Sequence, residues 1–321
     1  MPRYNSDSDS DSTVEPIRRP PAKRPAPPPH HALKQSFEQN PDVQRWLTEQ
    51  AKTAKPGEKP PFDPPFLSGH HERLWLLSSL EKFYHQNLIT DVHSVAKSGK
   101  EATVYCCNAD PATGYALLAA KTYRPRMFRS LKNDAVYRLN RAALDAGGRY
   151  DRRGERRTGG ERGRALQVAA WIQHEYQAQM RVHAAGASVP AVLGQAGNAI
   201  LMEYFGDEAS AAPLLQHVKL HHADAPELYT AIIRDIERCL MCHCIHGDLS
   251  AYNILYWQER VIIIDFAQAV DPRYNLEVFD LLERDVARVC SYFARYGVQS
   301  DPHDLASAMW SRYLMGEHGE R

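Results

Sequence analysis

The feature that most constrains this chain is one block of residues: His246-Gly247-Asp248-Leu249-Ser250-Ala251-Tyr252-Asn253, then Ile254-Leu255-Tyr256-Trp257, a polar break at Gln258-Glu259-Arg260, and Val261-Ile262-Ile263-Ile264-Asp265. Two short runs of β-branched and aromatic residues around a polar break read as a β-hairpin. With the turn centred near Glu259, Asn253 and Asp265 emerge opposite one another at the open end, and Asp248 lies in the loop just before. An amide oxygen and a carboxylate then come within reach of one cation. Mg2+ takes hard oxygen ligands and draws only one or two of them from protein, with Mn2+ as the substitute ion. The remaining acid, Asp248, is free to accept a proton from a nucleophile or to position it. Singly these are a turn residue, an asparagine and a strand end. In the order D-x-x-x-x-N, apolar hairpin, I-D-F they spell phosphotransfer.

The rest of the chain supplies the context such a site needs. Residues 1 to about 66 open with the alternation Ser6-Asp7-Ser8-Asp9-Ser10-Asp11-Ser12 and pass into a basic, proline-rich stretch; neither buries enough apolar surface to offset ordering, so this is read as a disordered tail. Within it, residues 37–51 carry a helix start at Asn40-Pro41. Order is expected from near Ser68, where Leu74, Leu77, Leu80 and Tyr84 recur at helical spacing. Strand patterns follow at 92–96, 102–107 and 115–122, then a helix at 171–184 and strands at 191–193 and 199–204. A small antiparallel sheet followed by a mostly helical half indicates an α+β, two-lobed protein with a cleft between the lobes. The expected domain runs over 67–312, with a sheet lobe at about 88–205, a truncated helical lobe at about 206–312, and a short tail at 313–321.

Three further elements suit an ATP site. Lys121 ends the alanine-rich strand Ala119-Ala120-Lys121 and offers a cation for phosphates, while Glu175 on the 171–184 helix can pair with it. The turn Ser98-Gly99-Lys100-Glu101-Ala102 joins the first two strands where a phosphate-covering loop is required; with one glycine, it needs Ser98 or Lys100 to help the backbone amides. Met202-Glu203-Tyr204-Phe205-Gly206 leads from a strand into the second half, where a hinge would present backbone groups to an adenine ring.

Composition narrows the classes. Formal net charge is +0, so any electrostatic role is local. There is neither the apolar core of a signal peptide nor an apolar run of membrane-spanning length, and the six cysteines read as reduced thiols, so a cytoplasmic protein is expected, with no membrane partner. Residues 123–167 are too long for an ordinary connection and are read as a flexible basic insertion. Between Arg149 and Arg164 they hold seven arginines against Asp151, Glu155 and Glu161. That stretch is either a solvated loop or a contact for structured RNA or a ribosomal particle.

Taken together, these residues resemble the RIO family of atypical kinases, above all its type-one branch and bacterial relatives. The resemblance runs from roughly Leu88 to Gly297 and rests on Ser98 to Ala102 before Val104-Tyr105, His246 to Ser250 with Tyr252-Asn253, and Ile264-Asp265 with Gln268. It implies a two-lobed protein-kinase-like fold and serine/threonine (auto)phosphorylation or ATPase activity. Lys121 then contacts phosphate, Glu175 pairs with it, Asp248 is the catalytic acceptor, and Asn253 and Asp265 hold the metal. In this family the position matching Asp265 is also implicated as an aspartyl-phosphate. Gly247 stands where ordinary kinases carry the arginine of H-R-D, and no A-P-E element follows Asp265, which removes the room for a peptide-docking lobe. A small-molecule kinase of the aminoglycoside or choline type shares H-G-D-x-x-x-x-N and I-D-F. A catalytically silent RNA- or ribosome-binding scaffold, and a zinc module at Cys239, Cys242, His243, Cys244 and His246, also compete with the kinase reading.

Overall fold

A computed structural model of the chain describes residues 44–45, 59–68, 70, 72–124, 161–274 and 278–319, and all of these belong to one contact unit, Ser36–Arg321. The 37–51 helix is thus described only at Gln44 and Arg45, and the tail before Lys59 and most of the basic insertion lie outside the described residues.

The first lobe is a five-stranded antiparallel sheet. Its strands are β1 (Ile89–Ser98), β2 (Ala102–Ala109), β3 (Leu117–Tyr123), β4 (Val192–Ala196) and β5 (Ala199–Glu203), in the spatial order β1-β2-β3-β5-β4. The expected three-strand meander is present. Side chains alternate between the two faces of a strand. On β3, Leu118 and Ala120 join the core on one face, and Ala119 and Tyr123 that on the other; on β5, Leu201 goes with the first and Ile200 and Met202 with the second. Lys121 shares the parity of Ala119 and Tyr123, so period two alone puts its amine on the inner face.

The outer face is covered by α1 (Arg73–His85). Its buried stripe is Leu76, Leu80 and Phe83 with Trp75 and Ser79, whereas Leu74, expected inside, is half exposed. Polar anchors set this rotation: the Trp75 indole N–H donates to the Tyr123 carbonyl at 2.8 Å, and Ser79 bonds Asn198. Packing also begins earlier than Leu67. Phe62 is buried and stacks on Tyr84 at 4.9 Å, Leu67 is fully buried, and Lys59 Nζ donates to the Tyr84 carbonyl at 2.8 Å. Proline enrichment around these residues suggested disorder, but prolines restrict the unfolded chain and so lower the cost of docking an extended segment.

The inner face is covered by α2 (Glu161–Ala184), longer than the expected 171–184. The basic insertion therefore ends by residue 160, and Arg162 and Arg164 belong to helix backbone. Their neighbours Ala165, Leu166 and Gln167 are good helix formers, a weak signal beside Gly163.

The second lobe packs α3 (Ala225–Met241), the hairpin β6 (Ile254–Trp257) and β7 (Arg260–Ile263), α4 (Phe279–Ala294) and α5 (Pro302–Gly319) around one core. Residues 313–319, expected as part of a tail, belong instead to α5, which runs on to Gly319, and Tyr313 is buried with its hydroxyl 2.9 Å from His243 Nδ1. Ala306, Met309 and Tyr313 form the buried stripe. The cysteines that suggested a zinc module are part of this interior, Cys239 and Cys244 buried and Cys242 half-buried, and burial raises all three thiols above their ordinary pKa, which favours thiol over thiolate ligand.

Candidate active site

The hairpin is tighter than its sequence suggested. Its turn is the pair Gln258-Glu259, both at positive φ (48° and 61°), as a two-residue turn between right-twisted strands requires. Arg260 is therefore in β7 and pairs with Trp257. The residue opposite Asn253 is Ile264, whose N–H donates to the Asn253 carbonyl at 2.9 Å, and Asp265 lies one position beyond. Asp265 adopts a left-handed backbone (φ 73°), uncommon for any residue but glycine, and turns the chain out of β7 into a 3-10 turn at Phe266–Gln268.

Lys121 is held between two carboxylates. Its Nζ donates to Glu175 Oε1 at 2.6 Å and to Asp265 Oδ1 at 2.8 Å. Glu175 comes from the stripe Val168, Trp171, Ile172, Glu175 and Gln179 that α2 presents to the sheet, so it is buried by position. Burial pushes its carboxyl up to about 7 against the pull of Lys121, and its Oε2 has no hydrogen-bond partner among the described residues. Burial opposes the charge on Lys121, but Asp265 and Glu175 outweigh it and the amine is raised above its usual range. Lys121 in turn holds Asp265 below the usual carboxylate range, against its own desolvation. The group of three keeps one cation and an ionised Asp265 at the inner face of the sheet.

The loop carrying Asp248 is tied to the same place from behind. Ile245 and Val270 exchange backbone bonds at 2.9 Å in each direction, and Asn253 Nδ2 donates to the Asp248 carbonyl at 2.8 Å, which leaves the Asn253 amide oxygen free of that bond. His246 Nε2 lies 3.0 Å from the Ile264 carbonyl and Nδ1 accepts the Asp248 N–H at 3.3 Å, which fixes the Nε2–H tautomer. Its ring lies tilted against Phe266, with centroids 4.9 Å apart. Gly247 has φ 77°, and a Cβ there would lie 2.4 Å from the Gln268 carbonyl oxygen. The glycine in place of arginine therefore follows from a close backbone crossing as well as from a lost side chain.

Sequence reasoning missed the residues that support this loop. Asp285 on α4 is buried and accepts the N–H groups of Gly247 at 2.7 Å and Leu249 at 3.0 Å. Burial raises its carboxyl, with His246 and these amides opposing. Its signal was an acid on the apolar stripe of Leu282, Val286 and Val289. Arg284 bonds the Gly247 carbonyl, and Arg288 Nη1 donates to Asp248 Oδ1 at 2.8 Å. Lys97, near the end of β1, also faces the cleft: desolvation lowers its amine, Asp265 pulls it up and Lys121 pushes it down.

The other expected ATP contacts are placed as follows. Ser98, Gly99 and Lys100 occupy the exposed β1–β2 turn; Ser98 Oγ accepts from Arg124 at 2.9 Å, and the Gly99 N–H donates to the Ala102 carbonyl at 2.9 Å, so that amide is already used. Met202 is buried against the inner-face cluster with Ala119, Trp171 and Ala267. The Glu203 N–H donates to the Ala191 carbonyl and the Phe205 carbonyl accepts from Ala212, which commits those two hinge groups within the protein. A metal would find hard oxygens at Asn253 and Asp265. One amide oxygen and one carboxylate are a donor set that would suit Mg2+ completed by water and phosphate oxygens; among the described residues there is no group of three or more His, Cys, Asp and Glu side chains that could hold a metal ion.

Comparison with known proteins gives the family and the fold. The family model described as "RIO domain" matches residues 132–305, more than half of the chain. A RIO-type serine/threonine-protein kinase Rio1 from Thermoplasma acidophilum is 32% identical over 43% of this chain and 71% of its own length. The serine/threonine-protein kinase rio1 of Schizosaccharomyces pombe is 27% identical over 67% of this chain, which spans only 41% of that relative. The Rio2 kinase of Chaetomium thermophilum, crystallised as an ADP/Mg2+-phosphoaspartate complex, superposes with a TM-score of 0.52 at 18% identity, covering 83% of this chain and 86% of that one, a likeness of fold. The two-lobed α+β architecture, the convergence of Lys121, Glu175 and Asp265, and the family match lead to one conclusion: the chain belongs to the RIO family of atypical kinases.

Proposed function

We propose that the protein transfers the γ-phosphoryl group of ATP to a serine or threonine hydroxyl, or to water, at the cleft between Lys121 and the Asp248–Asn253 loop. The observation that carries this is Lys121 held 2.6 Å from Glu175 and 2.8 Å from Asp265, with Asp248 in the loop bonded to the hairpin that ends at Asp265. Lys121, with its position fixed by Glu175, binds the nucleotide's phosphates. Asp248, more than half exposed, takes the acceptor's proton. Asn253 and Asp265 would hold Mg2+, which neutralises charge on the phosphate oxygens. Ser98, Gly99 and Lys100 cover the phosphates, and Met202, Glu203 and Phe205 receive the adenine. The carboxylate of Asp265 is also a candidate phosphoryl acceptor, the chemistry named for the Chaetomium Rio2 complex. Incubation with labelled ATP and Mg2+ tests the reading: label is expected as free phosphate, on the protein, or on an added acceptor. Label on an aminoglycoside or choline alone would transfer the assignment to a small-molecule kinase.

The arginines at 149–157 lie outside the described residues, but their composition supports a contact with structured RNA, where guanidinium groups pair with phosphates. Replacing four of them is expected to flatten the slope of log affinity against log salt by roughly three units, and unchanged RNA affinity would reject the contact. All six cysteines are free thiols, which supports a reducing, cytoplasmic setting. Among the described residues no helix is long and apolar enough to cross a membrane.

A further inference from the structure

Arg288 lies one helical turn beyond Arg284 on α4, and both side chains reach the loop that carries the catalytic acid: Arg284 bonds the Gly247 carbonyl, and Arg288 Nη1 donates to Asp248 Oδ1 at 2.8 Å. A guanidinium has five N–H donors, and this contact uses one. The Arg288 side chain is 40% exposed and that of Asp248 54%, so both are open to an acceptor brought to the acid. One carboxylate oxygen of Asp248 is occupied by Arg288, which leaves the other for the hydroxyl proton. An acceptor brought to Asp248 therefore passes a fixed positive charge with donors to spare.

The surroundings give that charge a task. Lys121 is already shared between Glu175 and Asp265, so a cation open to an acceptor at Asp248 is Arg288, whose spare donors meet the need of acidic flanks for a positive partner. A neutral acceptor has no such need. Tyr252, in the same loop and 55% exposed, offers an apolar surface for the acceptor backbone.

We infer that Arg288 is a specificity-determining residue that selects serine or threonine acceptors flanked by carboxylates. The inference rests on the phosphotransferase reading and deepens it. In the step it serves, the acceptor hydroxyl oxygen bonds to the γ-phosphorus as the bond from that phosphorus to the bridging oxygen of ADP breaks. The hydroxyl proton passes to the free oxygen of Asp248 and then to solvent, and ADP leaves. Arg288 meanwhile donates to the flanking carboxylate. The alternation Ser6-Asp7-Ser8-Asp9-Ser10-Asp11-Ser12 of this chain's own sequence has the required chemistry and supplies the probe.

The test offers the full-length protein, with saturating ATP and Mg2+, a peptide of the Ser6 to Ser12 sequence and the same peptide with asparagine at each aspartate. ADP release and peptide labelling are both read. The wild type is expected to favour the acidic peptide about tenfold in kcat/KM, mainly through KM, the scale of one charge-assisted contact at a partly screened site. Arg288→Ala should bring the ratio to within about twofold, Arg288→Glu should invert it, and Arg288→Lys, which keeps the charge, should retain most of it. If Arg288→Ala lowers kcat equally for both peptides, Arg288 only orients Asp248 and the inference fails. It also fails if the wild type uses both peptides equally, or labels neither while releasing ADP. Absence of any ADP release would instead overturn the phosphotransferase reading on which it rests.

Discussion

Replacing Gly247 by alanine tests how the loop carrying Asp248 is built. Two costs follow from its geometry. The residue has φ 77°, and a side chain in that left-handed region costs about 1–2 kcal/mol. The added Cβ would also lie 2.4 Å from the Gln268 carbonyl oxygen, roughly 1 Å inside van der Waals contact, and the obstacle is backbone that cannot rotate away. Forcing the two segments apart adds about 1–3 kcal/mol. The sum is about 2–5 kcal/mol. Gly297 provides the control, since its φ is 86° and nothing lies within 4 Å of its Cβ position, so Gly297→Ala carries only the first cost. The two variants are compared by the midpoint of urea denaturation and by ATP turnover. Gly247 is bonded through its N–H to Asp285 and through its carbonyl to Arg284, so a shift there moves Asp248. Turnover should fall about a hundredfold, the effect of a displacement near 1 Å, whereas Gly297→Ala should keep it. Equal stabilities for the two variants, or near-normal turnover by Gly247→Ala, would refute the claim that the Gln268 crossing dictates glycine.

Asp248→Ala and Asp265→Ala should each abolish turnover, but only Asp265→Ala should weaken Mg2+-dependent nucleotide binding; near-normal turnover in either would remove the active site from the end of the hairpin. The Glu175 carboxyl is raised by burial to about 7, so its share of stability is present below about pH 4.5 and is lost as pH rises toward 7. Against Glu175→Gln, the wild type should lose on the order of 3 kcal/mol across that window in thermal or urea melts, and parallel pH profiles would contradict the assigned burial. Tyr313→Ala should destabilise by roughly 3–5 kcal/mol, as for other large aromatic deletions, whereas a silent substitution would contradict the packing of Tyr313 into the core.

Local pattern determined a good deal of this protein. The antiparallel meander, the hairpin, and the pairing of Lys121 with Glu175 were legible because period-two and helical spacing are short-range properties, and because D-x-x-x-x-N before I-D-F gathers the candidate site residues into one stretch of chain. Boundaries were less legible. Prolines disguised the packing of Phe62 and Leu67, and a glycine among arginines hid the first turns of α2. The facing partner of Asn253 was misplaced by one residue, since only the folded turn shows that Gln258 and Glu259 both take positive φ and return Arg260 to the strand. What depended wholly on tertiary structure was the support of the site: Asp285 beneath Gly247 and Leu249, Arg288 beside Asp248, and the carbonyl of Gln268 against Gly247. These partners are separated from the loop by a turn, a hairpin or a helix. Their effect on it comes from hydrogen bonds and close contacts that exist only when the chain has returned to the same point in space, and no local spacing rule records that return.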